Sequence, residues 1–169
     1  IEAVSIYQAE IATGPVASVN GRTGSVILSP ADVGLDGPLF YIRGTVSQAV
    51  TAGVPLRVVF TTVDADTNNC QTASRFTPTT AGYYNLDARV VVATASTAVI
   101  SLVLYRNGVA WRTLAANYSA PASSYMLSGS VLAYMSGTDY VAVYVNISTA
   151  GGSVTMVDNS ARFSGFLCR

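Results

Sequence analysis

Three stretches of this chain alternate with a period of two, and that alternation restricts its fold more than any other feature. From Tyr83 to Val90 one face carries Tyr84, Leu86, Ala88 and Val90, and the other carries Tyr83, Asn85, Asp87 and Arg89. From Val99 to Tyr105 the residues Ile100, Leu102 and Leu104 share a side, and from Tyr140 to Ile147 so do Val141, Val143, Val145 and Ile147. Successive side chains of a strand point to opposite faces, so such runs are half-buried strands and give no apolar stripe on a helix.

Turn signals separate these runs. Arg106-Asn107-Gly108 sits between two apolar segments, and Asn-Gly favours a tight hairpin because both central residues must take positive φ. The spacing predicts a return strand over Val109 to Leu114, a polar loop over Ala116 to Ser124 that contains Pro121, and a strand over Tyr125 to Met135. Ser136-Gly137-Thr138-Asp139 reads as a turn, and Gly151-Gly152 precedes a short strand at Val154 to Val157. The last segment, Ser160 to Cys168, puts Phe163 and Leu167 on one face. Strands recurring roughly every 8–12 residues without helical periodicity predict an all-β sandwich or jelly roll.

The opening segment differs. Val16 to Leu28 reads as two short strands around Asn20-Gly21, and Ser29-Pro30-Ala31-Asp32 has the cap, proline and acid of a one-turn helix start, stopped by Gly34. So small a hairpin cannot bury a core alone. We therefore expect an N-terminal fibre or collar segment over residues 1–38, bounded by Gly37-Pro38, and a head domain over residues 39–169. The opening residue is Ile rather than Met, so a piece of a longer protein is expected.

Composition narrows the chemistry. The 169 residues are 50% hydrophobic and 11% charged, against about 25% charged in an average soluble domain. There is no histidine and no lysine, and the formal net charge is zero. A Ser-His-Asp triad, a His-based metal site, a Schiff-base lysine and a P-loop are all excluded. A neutral chain lacks the basic footprint of a nucleic-acid binder. No basic start precedes an apolar run as in a signal peptide, and no apolar run nears the ~18 residues of a membrane span. A chain this apolar and this weakly charged has little repulsion between copies, so self-association is expected. Cys70 and Cys168 lack metal spacing, and either two free thiols or one disulfide fits them.

Two segments carry resemblances. Ser18-Val19-Asn20-Gly21-Arg22-Thr23-Gly24-Ser25-Val26-Ile27-Leu28, followed by Ala31-Asp32-Val33-Gly34-Leu35, resembles an element that recurs in tail fibres and other adhesive proteins of bacteriophages. The segment from Phe40 to Cys168 resembles the jelly-roll head shared by complement component 1q and the tumour necrosis factor family. Its matching marks are Arg75-Phe76-Thr77-Pro78-Thr79-Thr80-Ala81-Gly82-Tyr83-Tyr84, Ser101 to Gly108, Ser128-Gly129-Ser130-Val131-Leu132, Gly137-Thr138-Asp139-Tyr140-Val141, and Arg162-Phe163-Ser164-Gly165-Phe166-Leu167. One departure is Thr138, inserted where the family usually has Gly-Asp directly. The resemblance implies a sandwich of about ten strands that forms a homotrimer and binds rather than catalyses. Taken together, the two resemblances imply the receptor-binding tip of a phage tail fibre, carried on the virion, that attaches to a host surface glycan or protein. The alternatives are a domain that only trimerises and registers a fibre, or the head of a bacterial surface or spore adhesive; a collagen-like Gly-X-Y repeat, common beneath such heads, is absent here.

Within that frame the candidate residues are few. Asp64 and Asp66 recur with calcium-loop spacing, but the calcium hand needs Gly and Glu where Asn69 and Arg75 stand, so a polar turn is expected and a nonstandard structural ion stays open. The same pair, roughly 6–7 Å apart on a strand face, matches the carboxylate spacing of a glycosidase without any further glycosidase feature. No catalytic residue and no cofactor are expected. Trp111, Asn117, Tyr118 and Tyr125 flank or lie in the polar loop and are the candidate ligand-binding residues, since aromatic faces stack on sugar rings; packing in the sandwich or a subunit interface is the competing role.

Overall fold

The computed structural model describes residues 37–44, 46–94, 97–120, 123–147, 154–156 and 161–168. The chain divides into two units, Ile1–Asp36 and Gly37–Arg169. The expected hairpin and helical turn of the first unit lie outside the described residues.

The second unit is built from β1 (Leu39–Arg43), β2 (Ala49–Val50), β3 (Leu56–Arg57), β4 (Thr62–Asp66), β5 (Gln71–Thr72), β6 (Arg75–Phe76), β7 (Gly82–Thr94), β8 (Ala98–Arg106), β9 (Val109–Ser119), β10 (Ser123–Met135), β11 (Val141–Ile147), β12 (Val154–Met156) and β13 (Arg162–Cys168). A short 3-10 turn, Thr67–Asn69, follows β4. Four strands are only two residues long, which takes the count above the expected ten. All described pairings are antiparallel, and they form two sheets. One runs β2-β12-β7-β13-β1-β4 with β10 also paired to β7; the other runs β5-β6-β11-β8-β9 with β3 on β11. This is the jelly-roll sandwich expected from the alternation.

The inward faces are the ones the pattern marked. Tyr84, Leu86, Ala88 and Val90 of β7, Ile100, Leu102 and Leu104 of β8, and Val141, Val143, Val145 and Ile147 of β11 are buried in one core. At its centre Phe40 stacks on Phe76 at 4.4 Å, meets Phe163 edge-on at 4.7 Å, and Phe76 meets Tyr84 edge-on at 5.2 Å. The buried Tyr84 satisfies its hydroxyl by donating to the Thr80 carbonyl at 2.7 Å. Gly165 makes room for this cluster: a Cβ there would lie 2.7 Å from both Phe40 and Leu86.

The Asn107-Gly108 turn forms as expected, with φ of 52° and 83°. Past it the return strand is longer than expected. Residues Ala115–Ser119 pair with Ala98–Leu102, so Ala116 to Ser119, read as the start of a loop, belong to β9. Edge pairing to β8 overrides the local polar composition, because the long partner strand offers unpaired backbone groups along its whole length.

Candidate functional site

Asp64 and Asp66 are placed by the end of β4, where the pairing with β1 shifts register between Tyr41 and Ile42. Each carboxylate has its own task. Asp64 accepts from Arg43 Nε at 2.8 Å across the strands. Asp66 accepts from the backbone N–H groups of Cys70 and Gln71 at 2.8 and 3.1 Å, and from the Cys70 thiol at 3.1 Å. Asp66 thus closes a polar turn, as Asp does at such positions. Burial, then the hydrogen bond and charge of Asp66, push the Cys70 thiol up to about 12. Among the described residues no three Cys, Asp or Glu side chains converge as a metal-binding group. Both cysteines are free, Cys70 buried and Cys168 half-buried.

The aromatic candidates separate. Because β9 continues through Ser119, Trp111 stands seven residues from Tyr118 along an extended strand, on the order of 20 Å away. Trp111 packs partly against the core, with the guanidinium groups of Arg106 and Arg112 at 5.3 and 5.5 Å from its ring. Asn117 and Tyr118 are exposed at the far end of β9. Tyr125 is half-buried on β10, and its hydroxyl accepts from the Ala120 N–H at 2.7 Å, at the same end of the domain as Tyr118. The structure therefore groups Asn117, Tyr118 and Tyr125 near one end and leaves Trp111 apart.

Asp139, read in the sequence as part of a turn and of one mark of the jelly-roll resemblance, is a buried organiser. Its carboxylate is ion-paired with Arg106 and accepts from Asn107 Nδ2 at 2.8 Å and from the Ser136 N–H and hydroxyl at 2.9 and 2.7 Å. Asn107 in turn accepts from the Tyr140 N–H at 2.9 Å. The Arg106 guanidinium, followed by the Ser136 and Asn107 donors, holds the Asp139 carboxyl well below the usual carboxylate range. The network ties the β8–β9 turn to the turn before β11.

The largest feature that the sequence reading missed is the outward face of the seven-stranded sheet. The register places Leu132 of β10, Asn85 of β7, Phe166 of β13 and Leu39 of β1 in one row across four neighbouring strands. The next row is Tyr134, Tyr83 and Cys168, with the two tyrosine rings edge-to-face at 5.4 Å. The large side chains in these rows are between 41% (Leu39) and 61% (Leu132) exposed. Further along, Met126 is exposed on the same face. Contiguous exposed apolar rows of this kind mark interaction surfaces. The signal was present in Ser123–Met135, where Met126, Leu132 and Tyr134 alternate with Leu127, Ala133 and Met135, so both faces of one strand are apolar.

No protein-family model and no curated protein matches the chain. Solved structures do match in fold. The globular domain of the zebrafish complement 1qA protein superposes with a TM-score of 0.60 at 16% identity, covering 79% of this chain and 98% of that one. The tumour necrosis factor Eiger from S. frugiperda gives 0.57 at 13% identity, covering 79% and 94%, and murine APRIL, in a crystal at pH 5.0, gives 0.57 at 12%, covering 78% and 99%. The head of this chain has the jelly-roll sandwich fold of the complement 1q and tumour necrosis factor domains.

Proposed function

We propose that the chain is a homotrimeric, non-catalytic adhesion head, the tip with which a bacteriophage tail fibre attaches to a bacterial surface. The observation that carries this reading is the outward apolar face of the seven-stranded sheet: a row of Leu132, Phe166 and Leu39 beside Tyr83 and Tyr134 is too apolar to remain in water and fits burial against further copies. The resemblance to trimeric heads supplies the number three. The Ser18-Val19-Asn20-Gly21 to Ala31-Asp32-Val33-Gly34 resemblance supplies the phage fibre and, with it, a place on the virion. Asp64 and Asp66 are each held by partners of their own, which favours structure over acid/base work. Three identical heads turn weak single-site binding into avidity. The loop end that carries Asn117, Tyr118 and Tyr125 is the candidate contact with a surface sugar.

Light scattering on the purified chain tests the assembly. A mass of three times 17.6 kDa is expected, and a single-chain mass at micromolar concentration overturns it. Binding of the labelled trimer to bacterial cells, with competition against phage adsorption, tests the receptor role. A trimer that neither binds nor competes leaves the fibre-registering role instead. New reducing ends released from envelope glycan, lost on Asp64→Asn and Asp66→Asn, would make it an enzyme.

A further inference from the structure

One row of the outward face of the seven-stranded sheet differs in kind from the apolar ones. Arg89 of β7 lies opposite Arg162 of β13, and Arg162 lies opposite Arg43 of β1. Each alternates with core residues, Arg89 between Ala88 and Val90, Arg162 beside Phe163 and Arg43 beside Ile42, so all three point away from the core. Adjacent strands lie about 4.8 Å apart, so the three Cα atoms span on the order of 10 Å. Like charges directly opposite across strands are destabilising, and three in succession call for a counter-charge.

The described residues supply only part of that counter-charge. Asp64 pairs with Arg43. Among the described residues Arg89 and Arg162 have no carboxylate partner, and the Arg89 Nε is buried without a hydrogen-bond acceptor. Asp87, one row away, is a single exposed carboxylate facing two free guanidinium groups. The imbalance extends beyond this row, since from Gly37 to Arg169 the chain holds eight arginines against five aspartates. Small hydroxyl side chains surround the row: Ser128 continues it on β10, Thr62 on β4, and Ser130 and Ser164 flank Asp87 in the next row. These side chains add hydroxyl donors beside the guanidinium groups.

We propose that Arg89 and Arg162, with Arg43 beside them, form a binding site for a small multiply charged oxyanion such as phosphate or sulfate. Guanidinium forks match the geometry of such oxyanions, and charge-assisted hydrogen bonds to them are the strong ones. Bound there, the anion relieves the repulsion within the row and accepts from the terminal N–H groups of the guanidinium forks. The site is complete within one chain and does not depend on the trimer. If copies do cover the face, they enclose the anion.

The test is the melting midpoint of the full chain in chloride, phosphate and sulfate at one fixed ionic strength, with light scattering run on the same samples. Phosphate or sulfate at about ten times its dissociation constant is expected to raise the midpoint by on the order of 3 °C over chloride. Arg89→Gln and Arg162→Gln are expected to remove that rise, while Arg57→Gln, on the opposite sheet, keeps it. Equal midpoints in the three salts, or a rise that survives both substitutions, overturns the site. So does an assembly that ignores phosphate but dissociates on Asp87→Asn, since a neighbouring copy then supplies the counter-charge. The mass reports assembly in every arm, so failure of the anion site and failure of the trimer read separately.

Discussion

The two sheets present different outward faces. On the six-stranded sheet, exposed groups are largely dressed from within the chain. Tyr105 and Tyr144 stack at 3.9 Å, Arg75 lies over the Tyr140 ring at 4.6 Å, and Arg106 has both Asp139 and Trp111. Its most exposed apolar residues, Val109 and Tyr118, stand toward opposite ends of the edge strand β9 rather than in a row. On the seven-stranded sheet, Leu132, Phe166 and Leu39 share one row with Asn85, and Tyr134 and Tyr83 stand in the next. The first face carries aromatic rings paired with one another or with arginine. The other carries the apolar rows that the proposed assembly would cover.

The strongest way to break this contrast is to place one charge on each face. Leu132→Glu is expected to reduce the assembly to single chains, weakening association at least a hundredfold in sedimentation, because the charge lands in a row that the assembly would desolvate. Val109→Glu, at a still more exposed position on the other sheet, is expected to leave the mass unchanged. Equal behaviour of the two variants removes the contrast.

A smaller effect probes the six-stranded sheet. Asp139→Ala leaves Arg106 without its carboxylate and strips acceptors from Asn107 and Ser136, and should cost on the order of 3 kcal/mol in urea unfolding. The pH dependence has a definite sign. The folded Asp139 pKa lies below its unfolded value of about 4, so its stabilisation is complete above that pH and is lost as pH falls through the lower folded value. Asp139→Asn should flatten this acid limb of the stability curve.

The smallest effect is chemical. Cys70, buried and with its thiol raised to about 12, should resist iodoacetamide at pH 8, while the half-buried Cys168 is modified. Because Cys168 stands in the row of Tyr83 and Tyr134, assembly should slow its labelling, and Leu132→Glu should restore the rate. Labelling of Cys168 that is indifferent to assembly would place the interface elsewhere.

Much of the fold was legible. The alternation in Tyr83 to Val90 chose the buried face residue by residue, and Asn107-Gly108 marked the hairpin, because both signals act over a few residues. The length of β9 was not legible, since the pairing of Ala116 to Ser119 depends on β8 rather than on their own propensities. The candidate site was read less well for the same reason: Trp111 and Tyr118 looked adjacent to one loop, and the continued strand parts them. Thr138 and Asp139 looked like an ordinary turn until the Arg106 side chain, from a strand far back in the chain, was placed on the carboxylate.

Local sequence alone determined that this chain makes strands, where they turn, and which side of each meets the core, because side-chain alternation and turn dihedrals are properties of neighbouring residues. Tertiary structure alone decided that Leu39, Phe166 and Leu132 form one row, and that Arg43, Arg162 and Arg89 form another. Cross-strand register between distant segments is set by how the sheet packs over its core, and an alternating face carries no mark of what will lie against it.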